Sequence, residues 1–120
     1  MPVIHHVSID VSDLERSAGF YDAVLAPLGW RRHTDFGLGI GWGMERPWFF
    51  ISTREPARAG SERVCFAGAG LAAVKAAWKG GIEAGGTDEG SPTQRTEYGP
   101  SYYSAYLLDP DGYRIEIAVG

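Results

Sequence analysis

Glu116 lies between Ile115 and Ile117 in the stretch DPDGYRIEIAVG that ends the chain. Strand side chains alternate between two faces. With the isoleucines on one face the carboxylate belongs to the other, where it is either solvated or aimed into a pocket. His6 stands in the same relation to Val7, Ile9 and Val11. Its face also carries Ser8 and Asp10, and it either meets water or lines a pocket. His5, beside it, belongs to the opposite side. Arg63 and Cys65 share one face of RVCFAG, opposite Val64 and Phe66. A lone cysteine is most often a small, inert, buried residue. Trp42, Trp48, Phe50, Tyr98, Tyr102 and Tyr103 could wall a pocket for a flat organic ligand, with core packing the alternative for each. Tyr102 and Tyr103 differ in parity, so a regular strand turns only one of them toward a given face. His33 and Asp35 are further donors by residue type alone.

The elements that must position these residues are legible in outline. VIHHVSIDV alternates as a strand half buried on one side. SDLERSAGFYDAVLAPLGW reads as a helix. Ser12 and Glu15 fit a capping box, and Leu14, Ala18, Tyr21, Val24, Leu25 and Leu28 recur at helical spacing. Pro27 and Gly29 mark its end. The segment from Trp30 to Thr53 reads as two or three short strands, of which WFFIS is the firmest. Gly37, Gly39, Gly41 and Gly43 alternate there, which suits bends or close packing rather than a phosphate loop. TREPARAGSE is a polar connector.

The order then repeats. RVCFAG is a strand. GLAAVKAAWKGGIEAGG is a helix with Leu71, Val74, Ala77, Trp78 and Ile82 as its apolar stripe. Gly80 and Gly81 weaken its last turn by roughly 1 kcal/mol each relative to Ala. TDEGSPTQRTEYGPS is rich in turn residues, YYSAYLLD is a strand, DPDG is a turn, and YRIEIAV is a strand.

Composition narrows the function classes. The chain has 120 residues, 44% hydrophobic and 22% charged, which suits one globular domain with one core. A net charge of -4 with eleven scattered Lys and Arg speaks against a nucleic-acid footprint or a membrane-binding patch. No apolar run approaches the roughly 20 residues of a membrane span. A single cysteine cannot form an intrachain disulfide and fits a reducing, cytoplasmic setting. The start lacks the charged and long apolar regions of a signal peptide.

HHVSIDVSDLERSAGFYDAVLAPLGW at one end and YYSAYLLDPDGYRIEIAV at the other, with RVCFAG and AAWKGGIEAGG between them, resemble the vicinal oxygen chelate superfamily of glyoxalases, bleomycin-resistance proteins and extradiol dioxygenases. The resemblance covers nearly the whole chain. It implies an α+β fold of two βαβββ modules forming a cupped mixed sheet, within a single domain. Module one spans about 3–53 and module two about 62–119. Folds of this kind host many reactions, so the fold is better specified than the chemistry.

The resemblance also implies site residues. The first-strand histidine of the family falls on His6 and the last-strand glutamate on Glu116, both expected to point into one cup. A divalent metal (Zn, Ni, Mn or Fe) would be held by His6 and Glu116, with Glu116 the catalytic group. Where metal-binding members carry another histidine, this chain has Arg63, and WFFIS lacks the glutamate that glyoxalase I places there. Arg63 would put a permanent cation where the metal belongs. It pairs with Glu116, holds an anionic ligand, or reaches solvent.

Two functions follow. One is a glyoxalase- or dioxygenase-like enzyme whose metal chelates adjacent substrate oxygens as a Lewis acid. The other is a metal-free protein that sequesters a small molecule, with Arg63 as charge partner and Trp48, Phe50 and Tyr102 in the pocket walls. The expected partners are a small-molecule ligand and a second copy in a homodimer, with no nucleic acid and no membrane.

Overall fold

The computed structural model describes residues 4–120. The first three residues, including the expected start of module one, lie outside it. Strand β1 (Val7–Asp10) leads into helix α1 (Leu14–Leu25), which closes through a 3-10 turn at Ala26–Leu28. Strands β2 (Arg31–Asp35), β3 (Gly39–Gly43) and β4 (Phe49–Ser52) follow. The second half runs β5 (Arg63–Ala67), α2 (Leu71–Glu83), β6 (Thr87–Gln94), β7 (Tyr103–Leu108) and β8 (Arg114–Val119). The two sheets have orders β1-β4-β3-β2 and β5-β8-β7-β6. In each, the first strand runs parallel to the last and the other pairs are antiparallel. The fold is α+β with two βαβββ modules, as the end motifs implied.

Alternation explains which faces are buried. Val7 and Ile9 pack against the core, joined by fully buried Phe49 and Ile51 from β4 and Ile40 and Trp42 from β3. Ile115 and Ile117 of β8 and Leu107 of β7 supply the equivalent face of the second sheet. Both helices share this one core, through Phe20, Tyr21, Val24 and Leu25 of α1 and Val74 and Ala77 of α2. Apolar burial on this scale is the main favourable term in folding.

Three local expectations need correction. The cap of α1 is Asp13, whose carboxylate accepts from the Arg16 N–H at 3.1 Å. Ser12 is drawn away to Asp111, which accepts from its backbone N–H at 3.0 Å and also bonds its hydroxyl. The turn-rich stretch begins with an eight-residue strand, β6. It is an edge strand with two register shifts, the setting in which Pro92 and Gly90 are tolerated. Leu71 does not join the stripe of α2 and is 51% exposed. Gly80 and Gly81 do not end that helix, which continues to Glu83. They bring it close to α1: a Cβ on Gly80 would lie 2.8 Å from the Ala23 carbonyl oxygen.

The glycines of β3 meet the close-packing expectation. A Cβ on Gly41 would sit 2.7 Å from the Phe50 ring and one on Gly43 1.8 Å from the Arg46 carbonyl oxygen. Gly37 instead takes φ 85° in the β2–β3 turn.

The DPDG turn joins the two modules. Asp109, 3% exposed, accepts from the Tyr21 hydroxyl of α1 at 2.6 Å and from the backbone N–H groups of Asp111 and Tyr113 at 2.9 Å. The Tyr113 hydroxyl donates to the Asp10 carbonyl and accepts from the Arg58 N–H. The start of α1 is thus held by the turn before β8.

Candidate functional site

Cys65, Glu116 and Tyr106 are register partners across β5, β8 and β7. The isoleucines flanking Glu116 are buried in the core, so alternation turns its carboxylate to the other face. There it is only 6% exposed and accepts from the Tyr102 hydroxyl at 2.8 Å. A cavity of about 190 Å³ is lined by Arg63, Tyr98, Tyr102, Tyr106 and Glu116. A neighbouring one of about 240 Å³ shares Arg63, Tyr98 and Tyr106 and adds Glu89 and Arg114.

Tyr102 and Tyr103 divide as their parity required. Tyr102 faces Glu116, and Tyr103 packs on the core. The Tyr98 and Tyr102 rings meet edge to face, centroids 5.4 Å apart.

Arg63 does not pair with Glu116. Its guanidinium lies over the Tyr106 ring, 5.5 Å from the centroid, and that of Arg95 lies at 4.7 Å. Such placement is a cation–π contact. Arg95 is fixed by Ser104, whose hydroxyl accepts from its Nε at 2.8 Å. Among the described residues neither Arg63 nor Glu116 is in an ion pair.

Desolvation governs the protonation of this wall. Burial, then the hydrogen bond to Glu116, raises the Tyr102 hydroxyl. Burial, then Tyr98 and Glu116, pushes Tyr106 up to about 12. Burial, then the Glu116 charge, pushes the Cys65 thiol up to about 11. All three stay protonated at neutral pH, as hydrogen-bond donors.

The other candidates lie elsewhere. His6 is exposed, in edge-to-face contact with Phe50 at 5.3 Å, and its Nδ1 is 3.0 Å from that of His5. His6 and Phe50 line a cavity of about 260 Å³ with Ser8, Phe36, Ser52 and Arg54. Trp48 meets Trp30 edge to face beside a further cavity, about 250 Å³, that His6 and Cys65 also line. Neither of these two cavities is lined by Glu116; Cys65, which lines the second with His6, is the register partner of Glu116. Trp42 is core, with its indole N–H on Asp22. The His33 ring bonds the Gly43 and Met44 carbonyls, and Asp35 accepts from the Gly37 N–H. Sequence reasoning missed Tyr106 and Arg95. Tyr106 shares the parity of Tyr102, a signal that was available, whereas Arg95 gave none.

The sequence profile of the Glyoxalase/Bleomycin resistance protein/Dioxygenase superfamily matches residues 3–117. The chain belongs to this superfamily. A solved glyoxalase/bleomycin resistance protein from Albidiferax ferrireducens is 34% identical, covers 95% of both chains and superposes with a TM-score of 0.85. The uncharacterized protein YqjT of Bacillus subtilis is 26% identical over 123 residues, covering 95% of this chain and 96% of its own. The fosfomycin resistance protein FosX of Mesorhizobium loti shares the fold at 18% identity, with a TM-score of 0.72 over 100% of this chain and 93% of its own.

The superfamily resemblance implies a divalent metal, and the residues around Glu116 do not suit one. Its companions are two hydroxyls and a thiol that hold their protons, together with a guanidinium. A divalent ion needs deprotonated donors. Among the described residues no three His, Cys, Asp or Glu side chains converge in a way that could hold a metal.

Proposed function

We propose that this superfamily member binds a small organic anion without a metal, seating it on Arg63 against the walls formed by Tyr98, Tyr102 and Tyr106. The observation that carries this reading is a guanidinium with no anionic partner among the described residues, lining a tyrosine-walled cavity. A planar guanidinium matches the two oxygens of a carboxylate or phosphate, and the rings supply apolar contact at small entropic cost. Phe50 and Trp48, lining the cavities beside His6, belong to a second, separate wall in one chain.

Calorimetry on chelator-treated protein with benzoate-type anions tests the reading. Binding should persist without metal and weaken at least tenfold, about 1.4 kcal/mol, in Arg63→Ala. Binding that vanishes on metal removal, or that ignores the substitution, would overturn it.

We further propose a homodimer. Among the described residues β1 and β5 each end a sheet with an unpaired edge, and the cleft between them, about 510 Å³, is walled by Ile4, Val7, Ile9, Val64 and Ile115. Exposed edges of this kind call for cover. Sedimentation should give twice the 13.0 kDa chain mass at about ten micromolar, well above the Kd of a stable dimer. A single 13.0 kDa species would refute the pairing.

A further inference from the structure

Resting on the anion-binding reading, we infer that the ligand is a small zwitterion, its anionic end on Arg63 and a cationic end on Glu116. The cavity presents two opposite charges that do not neutralise one another. Glu116 is 6% exposed and has the Tyr102 hydroxyl as its hydrogen-bond donor, and among the described residues it is in no ion pair. Arg63 leans on the Tyr106 ring. A buried carboxylate that lacks a cationic partner carries an uncompensated desolvation cost, and a ligand cation placed against it would offset that cost. A monoanion on Arg63 would leave Glu116 as it is and would add a second negative charge to the same cavity.

Register sets the reach. Glu116 pairs with Cys65, and Arg63 is two residues before Cys65 on the same strand. Two strand residues and one interstrand step separate the two Cα atoms by roughly 8 Å. The ligand charges must therefore stand several ångströms apart, farther than in an α-amino acid. The volume, about 190 Å³, corresponds to roughly six waters of liquid. A rigid spacer of one aromatic ring fits both limits and can lie against the tyrosines.

The test uses three nearly isosteric probes on metal-free protein: 4-(aminomethyl)benzoate, 4-methylbenzoate and 4-methylbenzylamine. The zwitterion should bind at least tenfold more tightly than either singly charged analogue. Glu116→Gln should erase its advantage over 4-methylbenzoate while leaving 4-methylbenzoate binding intact or improved. Arg63→Ala should weaken both carboxylates. If 4-methylbenzoate binds as well as the zwitterion and still depends on Arg63, the zwitterion inference falls and the anion-binding reading stands. If neither carboxylate binds, or neither responds to Arg63→Ala, both fall. Circular dichroism of each variant separates loss of a contact from loss of the fold.

Discussion

Cys65 shows how a residue's chemistry is set by what its strand places beside it. A lone cysteine is most often an inert buried thiol. Cys65 is exposed, yet its register partner is Glu116, and burial of the sulfur together with that charge pushes the thiol up from 9.0 to about 11. At about pH 8 it then carries roughly a hundredfold less thiolate than an ordinary thiol, and the greater nucleophilicity of a more basic thiolate returns roughly tenfold. Alkylation by iodoacetamide should accordingly run about tenfold slower than for free cysteine. Glu116→Gln should speed it by removing the second of the two causes. Equal rates for Cys65 and free cysteine would mean that the thiol and carboxylate are not neighbours. The inward aim of Glu116 and the division of Tyr102 from Tyr103 were legible because both follow from period-two alternation. The choice among the three alternatives open to Arg63 was not, since a guanidinium's choice between a carboxylate and an aromatic face depends on Tyr106, a residue on another strand.

Elements were legible where their pattern was local. The apolar stripes of the helices and the alternation of β1, β5 and β8 follow from residues near in sequence. β6 was not, because an edge strand facing solvent carries no apolar alternation and admits Pro92. The glycines of α2 were legible only in part: propensity describes an isolated helix, whereas Gly80 also lies against the backbone of α1. Paired substitutions separate the two effects. Gly19 in α1 has nothing within 4 Å of a built Cβ, so Gly19→Ala should stabilise by about 0.5–1 kcal/mol through helix propensity alone. Gly80→Ala gains the same propensity but drives a methyl to within 2.8 Å of the Ala23 carbonyl oxygen. Overpacking typically costs about 1–3 kcal/mol, so the net change should be a loss. Urea denaturation reads both. A gain at Gly80 equal to that at Gly19 would show that the helices do not approach so closely.

At the scale of the whole molecule, the union of the two modules was the least legible feature, since its bonds join residues far apart in sequence. Tyr21 and Asp109 are 88 positions apart, and Ser12 and Asp111 are 99 apart. DPDG reads as a turn in any sequence; that its carboxylates also hold α1 depends on where the sheets come to rest. This contact has a pH signature. Burial raises the Asp109 carboxyl above its ordinary 3.8, opposed by the hydrogen bond from Tyr21 and by the two backbone donors. With the folded value raised, the native state binds more protons than the unfolded chain between about 3.8 and that folded value. Stability contributed by this group therefore falls as pH rises through the window and is level above it. Tyr21→Phe removes a donor that favours the ionised form, so it raises the folded value further and widens the window. At neutral pH the substitution should cost about 1–3 kcal/mol, the range for a buried acceptor left short of its partner. Below the window, with Asp109 protonated in both proteins, the difference should shrink. Denaturant titrations of wild type and Tyr21→Phe at neutral and acid pH measure this directly. A difference that stays constant with pH would mean that Tyr21 and Asp109 are not coupled, and the joining of the modules would then rest on the Ser12–Asp111 and Tyr113–Asp10 contacts and on apolar packing of α1 against α2.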